Sequence, residues 1–187
     1  MKTIIKVIML ISFLPFVSLA EEQKEFKLQM SLDDTFSVTE TDEWHVEVQK
    51  ILTLRFADVR ITPKKDYSFD MMLFFKCDTP DLAQFDTPEK MKKSIIASSQ
   101  QYLPAIVEKT ITLQEIHLDH SYGYYTVLTD AAWVAKTDIP DGEFKYMTRG
   151  MIRLSPDTAL GFSIMTNELD TSPYRSLFDY IFNFVKK

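Results

Sequence analysis

Two histidines and an aspartate crowd the stretch "IHLDHSYGYY": His117, Asp119 and His120. Imidazoles and carboxylates are ligands that zinc accepts, and a zinc site needs three or four of them converging tetrahedrally. The same groups could pass protons at a small hydrolytic centre. Local conformation decides whether they can meet. On a helix His117 and His120 would share a face, whereas on a strand His117 and Asp119 share one side and His120 takes the other. The flanks, "TITLQEIHLD" and "GYYTVLTD", are rich in strand formers. The spacing therefore predicts a strand running into a turn. His117, Asp119 and His120 form a metal or acid–base set only if the chain bends there and a further ligand arrives, His45 being the one other histidine. The competing reading makes His117 a polar residue on a half-exposed strand, with Gly123 easing the backbone into the next one.

Other chemistries are easier to set aside. The four glycines, at 123, 142, 150 and 161, are far apart. A Walker loop and a dinucleotide fingerprint both need closely spaced glycines that open the backbone amides to phosphate, and neither is present. There is no G-x-S-x-G nucleophile elbow. Cys77 is the only cysteine, so no internal disulfide can form. It has the parity of Tyr67, Phe69, Met71, Leu73 and Phe75, which predicts burial as a small hydrophobe. With 27 acidic residues, no single carboxylate pair stands out as a catalytic couple. No cofactor is implied.

The elements that would position these residues can be read from periodicity. Residues 1–20 have the form of a secretory leader: Lys2 and Lys6, an apolar run from Val7 to Val17, then Ser18-Leu19-Ala20. This predicts an exported chain, periplasmic or extracellular, that does not span the membrane once the leader is removed. Residues 21–187 then form a single domain, large enough to bury a core without disulfides. The formal net charge of −6 becomes more negative without the leader, and no basic block remains. Nucleic acid and anionic membrane surfaces are poor partners for such a chain.

Within the domain, alternation predicts strands around "EFKLQMSL", "EWHVEVQ", "ILTLRFADVRI" and "YSFDMMLFF". In the first of these Phe26, Leu28, Met30 and Leu32 share a side before Asp33-Asp34 turns the chain. A helix is predicted over "DTPEKMKKSIIASSQQYLP", capped by Thr87, with Pro88 in its first turn and Met91, Ile95, Ser98 and Tyr102 along one stripe. Strands follow at about 110–118, 123–135, 144–154 and 159–167. A last helix, about 173–185, is capped by Ser172 and carries Tyr174, Leu177, Phe178, Ile181, Phe184 and Val185 on its apolar side. Short polar turns between consecutive strands predict an antiparallel, meander-rich sheet. The fold class is α+β, with helices packed on the faces of the sheet.

If "SPDT" closes a four-residue hairpin loop, Ile152 faces Gly161 and Gly150 faces Ser163. Both glycines then fall on one side of the sheet, leaving it locally bald. The expectation is that the last helix covers this face. The alternative is a shallow groove bordered by Gly150, Gly161 and Ser163 that takes an apolar ligand or a partner. The aromatics Tyr122, Tyr124, Tyr125, Trp133, Phe144 and Tyr146 read by default as cross-strand core, with a stacking surface as the sharper reading. Met71, Met72, Met147, Met151 and Met165 read as core filler, with an adaptable binding surface as the alternative.

The order of parts carries a resemblance: a leader, strands around "FSVTETDEWHVEV", a helix starting "DTPEKMKKSI", then "LQEIHLDHSYGYYTVLTDAAW", "PDGEFKYMTRGMIRLSPDTALGFSIMTNE" and a closing helix. It resembles small exported bacterial proteins whose chain is similar to the fold shared by PsbP and Mog1. The resemblance implies an α/β/α sandwich, an antiparallel sheet with helices on both sides, and an accessory, assembly or chaperone-like role rather than catalysis. It carries no active-site motif. The leading expectation is an exported, non-enzymatic accessory or binding protein whose partner is another exported or envelope protein. A small hydrolase or metal-binding protein centred on His117, Asp119 and His120 and a carrier of an apolar ligand are the alternatives.

Overall fold

The computed structural model describes residues 24–29, 35–51, 56–118 and 121–183. The leader, Met30 and Leu32 with the Asp33-Asp34 turn, Asp119, His120, and Phe184 to Lys187 lie outside the described residues. The strands are β1 (Glu25–Gln29), β2 (Thr35–Thr39), β3 (Trp44–Ile51), β4 (Phe56–Pro63), β5 (Phe69–Cys77), β6 (Gln114–His117), β7 (Tyr122–Thr129), β8 (Tyr146–Ser155) and β9 (Thr158–Thr166). Helix α1 spans Pro88–Ser99 and α2 spans Ser172–Asn183. The α+β class holds: β1 and β2 form a small antiparallel pair, and the other seven strands form an antiparallel sheet. Among the described residues no helix is long and apolar enough to cross a membrane.

The sheet order is β3-β4-β5-β9-β8-β7-β6. It is two meanders laid side by side rather than one. The connection carrying α1 crosses over three strands, so that β9 comes back to pair with β5 and β6 lies at the far edge. Strand alternation then gives the sheet two unlike faces. One takes Leu73, Phe75 and Cys77 from β5, Leu160, Phe162 and Ile164 from β9, and Leu177 and Ile181 from α2 in a single core. Leu28 and Val38 of the β1–β2 pair join it, and the Thr39 amide donates to the Tyr180 hydroxyl at 3.2 Å. The opposite face meets α1: Met91 and Ile95 pack with Leu82, Phe85, Tyr124 and Ala159. Tyr124 and Tyr125, adjacent on β7, therefore belong to different cores, the Tyr125 ring packing at a tilt 5.3 Å from that of Phe178 of α2. A single aromatic cluster does not form.

Several element boundaries differ from expectation, among them the late starts of β6 at Gln114 and β8 at Tyr146, and three have a visible local cause. Helix α1 stops at Ser99, and a 3-10 helix over Gln100–Ala105 continues the chain with Pro104 inside it. The buried stripe is consequently Met91, Ile95 and Ser99, and Ser98 is exposed. Strand β7 ends at Thr129, because Asp130 folds the next residues into a turn: its carboxylate accepts from the Ala132 amide at 2.7 Å and its carbonyl from the Val134 amide at 3.0 Å. Trp133 thus sits in a turn, 4.2 Å beneath Lys136, and not in a core strand. Helix α2 is capped by Thr171 rather than Ser172: the Thr171 hydroxyl accepts from the Tyr174 amide at 3.5 Å, and its carbonyl from the Arg175 amide at 3.0 Å.

The cap of α1 is where the pattern placed it. Thr87 has an extended backbone and its hydroxyl accepts from the Lys90 amide at 3.2 Å. Replacing the hydroxyl orphans one of the first amides of the helix. We expect Thr87→Ala to lower unfolding free energy by about 1 kcal/mol, read as a shift in urea midpoint. An unshifted midpoint would remove this bond from the account of α1.

At the sheet's free edge, β3 is partly closed by the residues just before it. The Val46 amide donates to Glu40 at 3.1 Å and the Trp44 amide to Thr41 at 3.1 Å. That amide holds the Glu40 carboxyl below the usual glutamate range, helped by Lys64 at 3.2 Å and by His45. A charged side chain spent on an edge amide blunts pairing with another chain.

A trough on the sheet face beside helix α1

The β8–β9 hairpin sets the geometry of the candidate site. Its turn is the two residues Pro156-Asp157, and the register slips between Arg153 and Ser155, leaving Leu154 as an extra residue. Below the slip Arg153 faces Ala159, Met151 faces Gly161 and Gly150 faces Phe162. The expected four-residue loop is therefore wrong by one position on β8. Because side chains alternate, a one-residue slip moves a whole strand's set to the other face. The observed register puts Leu160, Phe162 and Ile164 on the same side as Ile152, all essentially buried. The expected register would have set those three against the opposite face.

As a result Gly150 and Gly161 are on opposite faces, and the doubly bald face does not exist. Gly150 lies in the α2 core, where a Cβ would meet Phe162 Cζ at 2.5 Å, the Tyr124 carbonyl oxygen at 2.6 Å and Tyr125 Cβ at 2.7 Å. Gly161 belongs to the α1 face. There β9 presents only Ala159, Gly161 and Ser163 between two taller rows, Phe74 and Lys76 on β5 and Arg149 and Met151 on β8. The low row makes a trough of about 320 Å3, open to solvent, with Tyr102 of the 3-10 helix on its bank. Gly150 borders it through its backbone, and Gly161 and Ser163 form its floor. A second depression of about 230 Å3 shares Tyr102 and Met147 and continues towards Met165 and Phe144.

The lining is chiefly apolar, with one cation of note. Arg149 donates to the Ser98 carbonyl at 3.1 Å and the Ser98 hydroxyl at 3.4 Å, and its guanidinium lies 5.2 Å from the Tyr102 ring centroid. These partners are neutral, and no carboxylate is paired with it among the described residues. Lys76, at the other end, is ion-paired with Asp81 at 3.6 Å. One strand beyond Phe74 stands Asp58, whose Oδ1 is buried without a hydrogen-bond partner and whose carboxyl burial pushes above the usual aspartate range.

The other candidates fall elsewhere. His117 is exposed on β6, opposite Tyr122. Asp119 and His120 lie outside the described residues. His45 is on β3, at the opposite edge of the sheet, about 29 Å from β6 across six strand spacings, so it cannot complete a site with His117. Among the described residues no group of three or more His, Cys, Asp or Glu side chains could hold a metal ion. Cys77 is fully buried, its sulfur accepting from the Thr158 hydroxyl at 3.4 Å. Of the five methionines read as core filler, only Met71 is fully buried; Met72, Met147, Met151 and Met165 are half-buried on the α1 face, and the last three line the two depressions.

Phe74, Lys76, Tyr102 and Arg149 were not marked by the sequence as neighbours of Gly161. The small-residue parity Ala159-Gly161-Ser163 was a usable signal, but only the register says what stands beside it. No protein-family model matches the chain, and no curated protein matches its sequence.

Proposed function

We propose that the protein is an exported, non-enzymatic binding protein whose working surface is the trough over Gly161, and that it carries an apolar ligand there. The observation that carries this reading is the trough itself: a floor of Ala159, Gly161 and Ser163 banked by Phe74, Met147 and Met151. Its volume is at the lower end of small-molecule sites. Methionine banks adapt to ligands of different shape, because the thioether chain is unbranched and polarizable. Export to the periplasm or beyond rests on the leader pattern of residues 1–20. Kinship with the PsbP and Mog1 fold is part of the same proposal, supported by an antiparallel sheet with α1 and α2 on opposite faces.

The geometry favours a carrier over a protein-docking module for a backbone reason. The trough lies on β5, β9 and β8, interior strands paired on both sides. Their amides and carbonyls are committed to the ladder, so a peptide lying there would find no main-chain partners and would leave its own unsatisfied.

A neutral solvatochromic dye tests the reading. Nile red should brighten on binding the wild-type chain and should fail to do so with Gly161→Leu. A Cβ at Gly161 would meet the flexible end of Met151 at 3.3 Å, which must turn slightly aside, and Phe74 Cβ at 3.7 Å, with no backbone atom in the way, so a leucine projects into the trough. Equal brightening by the two proteins would sink the proposal.

A further inference from the structure

Resting on the trough as the binding site, we infer that its ligand is a single-tailed amphiphilic monocarboxylate, a free fatty acid, with its head at Arg149 and Ser163 and its tail over Gly161.

The head group follows from charge. In a chain with a formal net charge of −6, Arg149 stands on the trough with only neutral partners: a carbonyl, a hydroxyl and an aromatic ring. A guanidinium presents several donors in a planar fork, and Ser98 and Tyr102 fix its position without satisfying its charge. Ser163 is directly across the ladder from Arg149. Its hydroxyl has no hydrogen-bond partner among the described residues and is half-buried on the trough floor. A carboxylate between the two would accept charge-assisted bonds from Arg149 and one from Ser163.

The direction of the tail follows from the rest of the lining. From Ser163 the floor runs through Gly161 to Ala159, about 13 Å at strand rise, with Phe74 on one bank and Met151 on the other. The Ala159 end holds a cation already engaged, Lys76 with Asp81, and one strand beyond Phe74, level with Gly161, stands the Asp58 carboxyl. An anion is disfavoured there, while an alkyl chain needs only the apolar banks. A neutral lipid would make no charge-assisted bond to Arg149. A peptide would bring backbone groups that the interior strands cannot pair. A fatty acid leaves neither deficit.

Displacement of Nile red by dodecanoate and by dodecanol, which share a tail and differ in charge, tests the inference at neutral pH. Dodecanoate is expected to bind the wild-type chain about 10-fold or more tightly than dodecanol, the ratio that loss of a charge-assisted bond implies. Arg149→Gln should remove that preference by weakening dodecanoate alone. Ser163→Ala, which takes away one oxygen from a half-buried position and leaves the sheet intact, should reduce it by a smaller factor. Equal affinities for the two probes in the wild-type chain would overturn the inference, as would a preference unchanged in both variants. So would displacement by an apolar peptide but by neither probe. In each of these cases a dye signal still abolished by Gly161→Leu leaves the trough standing as a binding site. A dye signal that survives Gly161→Leu removes the trough and the inference together.

Discussion

Gly150→Ala is expected to destabilise the protein by about 3 kcal/mol, while Gly161→Ala, in the neighbouring strand, leaves stability within about 1 kcal/mol of wild type. The two glycines look alike in sequence, and the difference is entirely one of surroundings. A Cβ at 150 would stand 2.6 Å from the Tyr124 carbonyl oxygen and 2.7 Å from Tyr125 Cβ. Both belong to the paired strand β7, so neither can move without opening the β7–β8 ladder. Phe162 Cζ, at 2.5 Å, belongs to a buried ring packed edge-on against Phe178, the centroids 6.0 Å apart. At 161 the tightest neighbour is a methionine methyl at 3.3 Å, which can turn aside, and alanine also narrows the unfolded ensemble. Urea midpoints for the two variants measure the contrast. Equal losses would mean that the β8–β9 register is not the observed one, since the expected register puts Gly150 opposite Ser163 and Ile152 opposite Gly161.

Above about pH 10 the protein is expected to lose stability steeply, in a step that two tyrosines control. Burial pushes Tyr174 and Tyr180 up to about 12 each. The Tyr174 hydroxyl is 2.7 Å from Thr148 Oγ1 in the α2 core, and the Tyr180 hydroxyl accepts from the Thr39 amide. Those hydrogen bonds work in the opposite direction to burial and are outweighed by it. An unfolded tyrosine ionises near pH 10. The native state therefore keeps two protons that the unfolded chain has released, and linkage makes stability fall with pH wherever that holds. The stabilisation is complete below about pH 10 and is lost as pH rises through 12. Urea midpoints from about pH 8 to about pH 11.5 should be flat and then fall. In Tyr174→Phe, Thr148 loses its buried partner, at a cost of about 1–2 kcal/mol near neutrality, yet the alkaline fall becomes shallower. A double Tyr174→Phe, Tyr180→Phe variant that kept the wild-type alkaline slope would refute the assignment.

How much of this could be read in advance differs from element to element. The alternation around Met71, Leu73, Phe75 and Cys77 predicted a buried face, and these side chains are fully buried. Thr87 and Pro88 marked the start of α1 within one turn because capping is a local event, complete within four residues. The miss at Trp133 has an equally local cause. Tryptophan and valine favour strands, but the side chain of Asp130 closes a turn ahead of them, and a hydrogen bond at 2.7 Å outweighs a weak strand propensity.

The candidate site was half legible. Gly161 and Ser163 are marked in the sequence as the border of a face bald of side chains, and both are in the trough. Gly150 was grouped with them through a register that the turn alone could not set. Its place is in the α2 core. The neighbours that give the trough its chemistry, Phe74 on β5, Tyr102 on the 3-10 helix and Arg149 on β8, come from three separate segments of the chain. Nothing local relates them.

The sequence by itself determined what depends on short range: the parity of β5, the start of α1, the burial of Cys77, and the absence of a glycine-rich phosphate loop. It determined the α+β class as well, since alternation and helical spacing are written residue by residue. Only the tertiary structure decided which strands are neighbours and in what register. Burying Leu160, Phe162 and Ile164 with Ile152 is a property of the whole sheet, and it is worth more than any preference of the Pro156-Asp157 turn. That choice turned Gly150 into a packing contact and left Ala159, Gly161 and Ser163 as a floor with Arg149 beside it.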